Sequence, residues 1–545
     1  MTISGLVVGT YLTVLLVLAL YGFHRSSLVW HYYRNRHRRP KPLGSFAELP
    51  AVTVQLPLFN EMYVVERLLD SVAAIRYPRD RFQIQVLDDS TDETQEICRR
   101  KVEDLGRRFP ELEVEYIHRV DRSGFKAGAL QNGLKTAKGE FVLIFDADFL
   151  PLADILERSI HHFSDPQVAV VQCRWEHVNR DFSALTEVEA LMLDGHFIME
   201  HAGRNWSGRF FNFNGTAGLW RRAAIADAGD WQHDTLTEDM DLSYRAQLRG
   251  WKFVYLPEIA APAELPVEMS AFKAQQFRWA KGSIQVAKKL LPTILRSNVG
   301  FKQKLEAFFH LSNNIAYPLL LLLSILLLPN LALRAHHGWR EVLLIDLPLF
   351  FGTTASVASF YLASQREIAL MTAPGERRSL WLAVKRLPLV MSIGIGLCVN
   401  QTRAVLEALA GRETEFVRTP KHGIRGKLES WSGKKYRAAK SLTPFIELTM
   451  AAYFVLAIGV AVEHRHYISI PFLCLFLCGF GYVGWGSVWQ GSVGAGLRGL
   501  FGRRGVTVVA PPAYPVVAGR ATDISGEIVV ADAAVVLRNG ASVDA

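Results

Sequence analysis

Residues 5–23 are apolar almost without interruption and carry no charge. At about 1.5 Å per residue, a helix of that length comes close to spanning a bilayer core of about 30 Å, which predicts a transmembrane helix. A cleaved signal peptide is the rival reading, but the run lacks a basic leader and no A-x-A-like site follows it. Arg25, Arg34, Arg36, Arg38, Arg39 and Lys41 follow instead, a basic collar that assigns the next segment to the cytoplasmic side. From Ala51 the pattern switches to short β-rich runs at 52–58, 83–87, 113–118 and 141–145, separated by helical periodicities at 61–74, 93–108 and 126–137. Strand and helix alternating at this spacing predict an α/β unit: a parallel sheet with helices on both faces, whose ligands bind beyond the carboxyl ends of the strands.

Long apolar runs return at 312–333, 342–363, 444–462 and 467–488. Residues 275–304 read as amphipathic or interfacial. The run 387–399 reaches only about 20 Å as a helix, short of a bilayer core, and is expected to be interfacial or re-entrant. Charge supports that choice. Residues 364–441 hold 15 Lys and Arg, whereas the loops 334–341 and 463–466 hold three together, so the positive-inside tendency is obeyed with 364–441 inside. The expected organisation has five spans with the N-terminus outside. Residues 1–50 form the first helix and its collar, 51–291 the α/β domain, and 292–490 the membrane region with a cytoplasmic segment at 364–441. Residues 491–545 are a Val/Ala/Gly-rich tail, expected to be disordered or to form a few strands.

Composition adds two exclusions. The hydrophobic fraction of 50% is high for a soluble chain, and the net charge of +9 gathers beside the apolar runs, so membrane orientation accounts for it and no nucleic-acid partner is expected. Five cysteines, at 98, 173, 398, 474 and 478, form no CxxC and no zinc spacing, and read as reduced thiols.

Carboxylates carry the candidate chemistry. Asp146 and Asp148 end a strongly apolar strand, where charges cannot be buried unpaired and must meet a polar crevice or solvent. Hard oxygen ligands at this spacing suit Mg²⁺ or Mn²⁺, which in turn binds a diphosphate. Asp88 and Asp89 repeat the arrangement one strand earlier; they cap the next helix with Ser90, Thr91 and Asp92, or hydrogen-bond a nucleotide base or ribose, and neither role excludes the other. Glu238 and Asp239, after Thr237, either fill a helix N-terminus or supply a general base. Lys126 and Gly128 open a helix, a place that favours anions. Residues 211–216 combine two Phe rings with the amides of Asn212 and Asn214, Gly215 and the Thr216 hydroxyl, as a sugar pocket would, or simply pack in a core. Gln275, Arg278 and Trp279 offer amide, guanidinium and indole groups between the two halves, unless Phe277 and Trp279 only anchor an interfacial helix.

The order Pro57-x-x-Asn60-Glu61, Asp88-Asp89, Lys126-Ala127-Gly128, Asp146-Ala147-Asp148, Asn214-Gly215-Thr216, Thr237-Glu238-Asp239 and Gln275-x-x-Arg278-Trp279 resembles the family 2 glycosyltransferases. Within them it resembles the membrane-bound β-glycan synthases, cellulose synthase and the cellulose-synthase-like mannan and glucan synthases. The resemblance implies a GT-A fold, a Rossmann-like mixed sheet with helices on both faces, fused to a multi-span helical membrane region. It implies inverting, processive transfer of hexose from UDP-glucose or GDP-mannose to a growing glycan of β-1,4-glucan or mannan type, with passage of the product through the membrane. The donor is expected at Pro57, Asn60, Glu61, Asp88, Asp89, Lys126, Asp146, Gln275 and Arg278, and the metal at Asp146 and Asp148. The acceptor is expected at Asn214, Gly215, Thr216, Glu238 and Trp279, with Asp239 as base. Phe416, Thr419 and Lys421 fall where the synthases carry a gating loop of the form FxVTxK, although Arg418 stands in place of its Val. Phe149 stands where cellulose synthases often have His, which speaks against a cellulose product. A bacterial inner membrane, a cytoplasmic catalytic domain and room for accessory export subunits complete the expectation. The alternative is a single transfer to ceramide or diacylglycerol. A non-catalytic scaffold would lack one of Asp146, Asp148 and Asp239, and none is lacking.

Overall fold

The computed structural model describes residues 3–334, 347–372, 378–414, 416–431, 433–436 and 441–490. Seven strands form one sheet: β1 (Val52–Leu58), β2 (Phe82–Asp88), β3 (Glu113–His118), β4 (Phe141–Ile144), β5 (Val168–His177), β6 (Gly218–Arg221) and β7 (Lys252–Ala263), in the order β3-β2-β1-β4-β6-β5-β7. β1 pairs in parallel with β2 and β4, β2 with β3, and β5 with β7. β6 runs antiparallel to β4 and β5. The sheet is therefore mixed, where the alternation of runs by itself gave a parallel one. β6 enters directly from the 211–217 loop, and only a parallel neighbour needs a crossover helix.

Alternation along β1 sorts the two faces. Val52, Val54, Leu56 and Leu58 join an apolar layer with Leu68, Leu69 and Val72 of helix Val65–Ala73. Thr53 and Gln55 point the other way, where Thr53 Oγ1 donates to Gln83 Oε1 (2.8 Å) and Gln55 Nε2 to Gln85 Oε1 (3.0 Å). These hydrogen bonds pair most of the buried polar groups of this face, with Gln55 Oε1 left without a partner among the described residues. Helix Phe125–Gly133 lies over them, with Gln55 Nε2 also donating to Leu130 O (3.3 Å). Gly133 permits the close seat, since a Cβ there would stand 2.5 Å from Gln55 Nε2. Seated this low, the helix brings Lys126, in its first turn, to the end of β4.

Four helices among the described residues are long and apolar enough to cross a membrane: Ser4–Asn35, Phe301–Leu333, Thr443–Glu463 and Tyr467–Gln490. The fifth expected span, 342–363, lies partly outside the described residues, and the rest of it belongs to helix Leu347–Thr372. The N-terminal helix outruns the expected 5–23 and carries Arg25 and Arg34 of the basic collar on itself. Its Tyr32 and Tyr33 hydroxyls donate to Glu367 (3.0 and 3.1 Å). Trp381–Gly396 and Cys398–Leu409 are bent by 40° against each other, and the break falls inside the run expected to be interfacial or re-entrant. Gly396 and Gly479 bring this pair against the last span: a Cβ on Gly396 would lie 2.3 Å from Gly479 O. Small residues commonly draw membrane helices together in this way.

One helix, Met269–Arg296, joins the halves and runs through the boundary expected at 291. Near its start the buried Lys273 ammonium donates to both oxygens of Glu447 (2.6 and 2.8 Å) and to Thr443 Oγ1 (3.0 Å), on the span Thr443–Glu463. The tail at 491–545 lies outside the described residues.

Candidate active site

The carboxyl ends of β1 and β4, the start of helix Glu238–Leu248, helix Met269–Arg296 and residues 416–421 enclose a cavity of about 180 Å³. Asp146 and Asp148 follow β4 and both line it. Lys126 Nζ pairs with Asp146 and donates to Gly215 O (3.0 Å). Burial works against the Lys126 charge, but Asp146, Glu238 and Asp239 outweigh it and raise its pKa. Lys421 Nζ lies 2.8 Å from Asp148 Oδ2; there too burial is outweighed, by Asp148 and Glu264, and the pKa rises. Each carboxylate of the pair thus faces its own lysine.

Glu238 and Asp239 open their helix and both line the cavity. Burial, reinforced by the neighbouring Glu238 carboxylate, pushes Asp239 up to about 7. Its Oδ1 accepts the Met240 N–H (2.8 Å), and Oδ2 stands 3.0 Å from where a Cβ on Gly215 would lie. Gly215, at φ +78°, is therefore required on two counts: backbone conformation and room for the acid. Gln275, Arg278 and Trp279 occupy i, i+3 and i+4 of their helix, one face, and all three line the cavity. Arg278 Nη1 donates to Val417 O (3.0 Å), and its guanidinium stacks over Phe416 (4.7 Å). The Trp279 ring lies 6.5 Å from Trp175.

Pro57, Glu61, Asp89, Asn214, Phe416, Thr419 and Lys421 also reach the cavity, so most of the residues singled out in the sequence converge. Of those expected to hold donor, acceptor or metal, three do not line it. Asp88 is wholly buried, its carboxylate taken by the Ser90 N–H (2.9 Å) and the Tyr116 hydroxyl (2.7 Å), so Asp89, itself paired with Arg119, is the member of that pair that faces the cavity. Asn60, at φ +56°, brackets β1 to β2 by accepting the Thr91 N–H (2.8 Å). Thr216 Oγ1, buried, accepts the Asp146 N–H (2.9 Å) and so orients that acid from behind. The Asn214 side chain is engaged by His196 and His201, of the π-helical turn Gly195–His201.

Known relatives decide the family. A glucomannan 4-beta-mannosyltransferase of Arabidopsis thaliana is 35% identical over 469 residues, covering 81% of this chain and 82% of its own length. The chain belongs to the family 2 glycosyltransferases. Residues 50–282 match the family described as "Glycosyltransferase like family 2". A second relative, glucomannan 4-beta-mannosyltransferase 1 of Oryza sativa subsp. japonica, is 34% identical over 81% of this chain and 84% of its own. Among solved structures, a mannosyltransferase from Pyrobaculum calidifontis in complex with GDP-Man and Mn²⁺ aligns at 22% identity and a TM-score of 0.48, over 74% of this chain and 100% of its own.

This family 2 glycosyltransferase is a hexosyltransferase similar to the cellulose-synthase-like mannan synthases, and its long apolar helices make it an integral membrane protein. The named curated relatives are plant proteins and lend no support to a bacterial inner membrane. A divalent cation fits the donor set. Asp146 and Asp148 present hard oxygens to the cavity, no third acid, His or Cys groups with them among the described residues, and diphosphate oxygens and water suit the rest of such a shell. Family motifs missed Trp175 and His177 at the end of β5, Glu264 just beyond β7, and Arg122, whose guanidinium lies 3.4 Å over the Phe59 ring. Their common signal is position at or beside strand ends. Arg418, noted as a departure, faces Glu61 (3.2 Å) and stacks on Tyr436 (3.9 Å), also on the cavity wall. Burial pushes Glu61 up to about 8 despite Arg418.

Proposed function

We propose that this glycosyltransferase is processive and inverting, moving a hexose from a nucleotide sugar onto a growing β-linked mannan or glucan and passing the polymer through its own membrane half. One observation carries the reading. A second cavity, of about 260 Å³, shares Asp239, Gln275 and Trp279 with the first and continues among Tyr21, Arg25, Asn313, Asn314, Tyr317 and Gln401 of the membrane half. Polar groups are costly against lipid and are retained where they line a path. Asn400, the residue before Gln401, instead donates to Lys273 O (2.9 Å). The name of the relatives, glucomannan 4-beta-mannosyltransferase, supports a β-1,4 linkage and mannose as the sugar.

The geometry supports the following division of labour. Asp239 takes the proton of the acceptor hydroxyl as its oxygen bonds to the anomeric carbon, and the bond from that carbon to the diphosphate oxygen breaks on the opposite face, inverting the centre. Lys126 and Arg278 face the charge that develops on the leaving diphosphate. A divalent cation at Asp146 and Asp148, when bound, supplies further neutralisation of that diphosphate. The Trp279 indole offers an apolar platform to the acceptor ring.

Incubating membranes with UDP-glucose or GDP-mannose and Mg²⁺ or Mn²⁺, then sizing the product, tests the reading. A polymer resistant to lipid extraction is expected; a solvent-soluble glycolipid as the sole product would overturn it in favour of a single transfer to lipid. Trp279→Ala is expected to raise the KM for oligosaccharide acceptors about tenfold, the loss of one stacking platform. Normal chain length and acceptor KM in this variant would remove Trp279 from the acceptor site.

A further inference from the structure

Beyond Trp279, the wall of the inner cavity carries an acid that no motif marks. Glu189 lies on helix Ala184–Asp194, is 2% exposed, and lines the cavity together with Trp175 and Trp279. The other acids around it are held: Glu187 by Arg386, Asp194 by Arg180 and Gln365, Glu200 by Arg204 and His196. Among the described residues Glu189 has no ion pair, and its Oε1 has no hydrogen-bond partner. Burial, against the opposing pull of Lys421, pushes the Glu189 carboxyl well above the usual carboxylate range and so favours its protonated form, which has an O–H to give and an oxygen to accept. Three more buried atoms of residues on this cavity lack partners among the described residues, Trp175 Nε1, Asn212 Oδ1 and Thr237 Oγ1.

Buried polar groups are ordinarily satisfied, and four unsatisfied ones around one cavity call for a ligand that supplies what the protein does not. Their surroundings name its chemistry. An indole face takes the C–H face of a pyranose ring, while a carboxyl, an amide oxygen, an indole N–H and a hydroxyl meet the hydroxyls at its edge. We propose that Glu189, with Asn212 and Thr237, forms an acceptor-sugar subsite that hydrogen-bonds glycan hydroxyls beside Trp279 and selects the glycan that is extended. The inference rests on the reading of the acceptor as a glycan and adds the residues that recognise it.

Purified full-length enzyme, assayed with short manno- and cello-oligosaccharides as acceptors, tests it. Glu189→Met, which keeps length and removes the polar end, is expected to raise the acceptor KM about tenfold while the donor KM shifts less than about twofold. Glu189→Gln, which still donates and accepts, is expected to restore most of that loss. Equal acceptor KM in Glu189→Met and wild type, or a Gln variant as impaired as the Met variant, would overturn the subsite. Should the Met variant not accumulate as folded protein, Glu189→Asp carries the test: it withdraws the carboxyl by one methylene, and an unchanged acceptor KM there overturns the subsite equally. A wild-type enzyme that glycosylates only lipid, and neither oligosaccharide, would overturn the glycan reading and the subsite with it.

Discussion

Asp239→Asn is expected to lower sugar transfer by about 10²–10⁴-fold while nucleotide-sugar binding is retained. The substitution preserves the shape of the side chain beside Gly215 and Lys126 but removes its capacity to take a proton. A distinct pH signature follows. Burial and the Glu238 charge raise Asp239 to about 7, so below that value the carboxyl is increasingly protonated and idle. Wild-type kcat/KM should therefore fall as pH drops through about 7, and the residual rate of the Asn variant should show no such limb. Initial rates of nucleoside diphosphate release across pH, with calorimetric titration of the donor, read both effects. Turnover surviving in the variant at near the wild-type rate would assign the base elsewhere.

Glu447→Ala is expected to destabilise the protein by about 3–5 kcal/mol, more than a surface charge change could. Lys273 is 5% exposed, and burial already lowers its pKa against the pull of Glu447. Deleting the acid leaves the ammonium, among the described residues, with only the Thr443 and Ser487 hydroxyls. A paired replacement, Lys273→Met with Glu447→Leu, should recover much of the loss, because removing both partners leaves no charge uncompensated. Thermal unfolding of the detergent-purified enzyme distinguishes these outcomes, and an unshifted unfolding temperature for the single variant would show that the pair contributes nothing.

Much of this was legible in the chain. β1 to β4 and the helices between them follow from hydrophobic runs punctuated at short intervals, and the motif residues mostly converge because they sit at the ends of those strands. β5 was not legible: 168–171 is a short run of four apolar residues, which periodicity cannot tell from a buried helix. β6, at four residues, follows directly on the 211–216 stretch that reads as a sugar pocket and is too short to stand out from it. The side chains that stay off the cavity wall are those whose hydrogen bonds are taken elsewhere: Asp88 by Tyr116, Asn60 by Thr91, and Thr216 by the Asp146 backbone. Such partners lie far along the chain or on the backbone, and spacing does not encode them. Nor does it encode that Lys421 would meet Asp148, although the motif around each was visible.

That last pairing bears on how the enzyme can be handled. The stretch that matches the family ends at residue 282, yet Arg418 and Lys421 complete the same cavity from well beyond it. An excised soluble domain would leave Glu61 and Asp148 without the cations that face them, and would cut the helix bearing Trp279 loose from its anchor at Glu447. An active fragment of this chain is therefore expected to need its membrane helices, and a truncation at the family boundary would keep only part of the cavity wall.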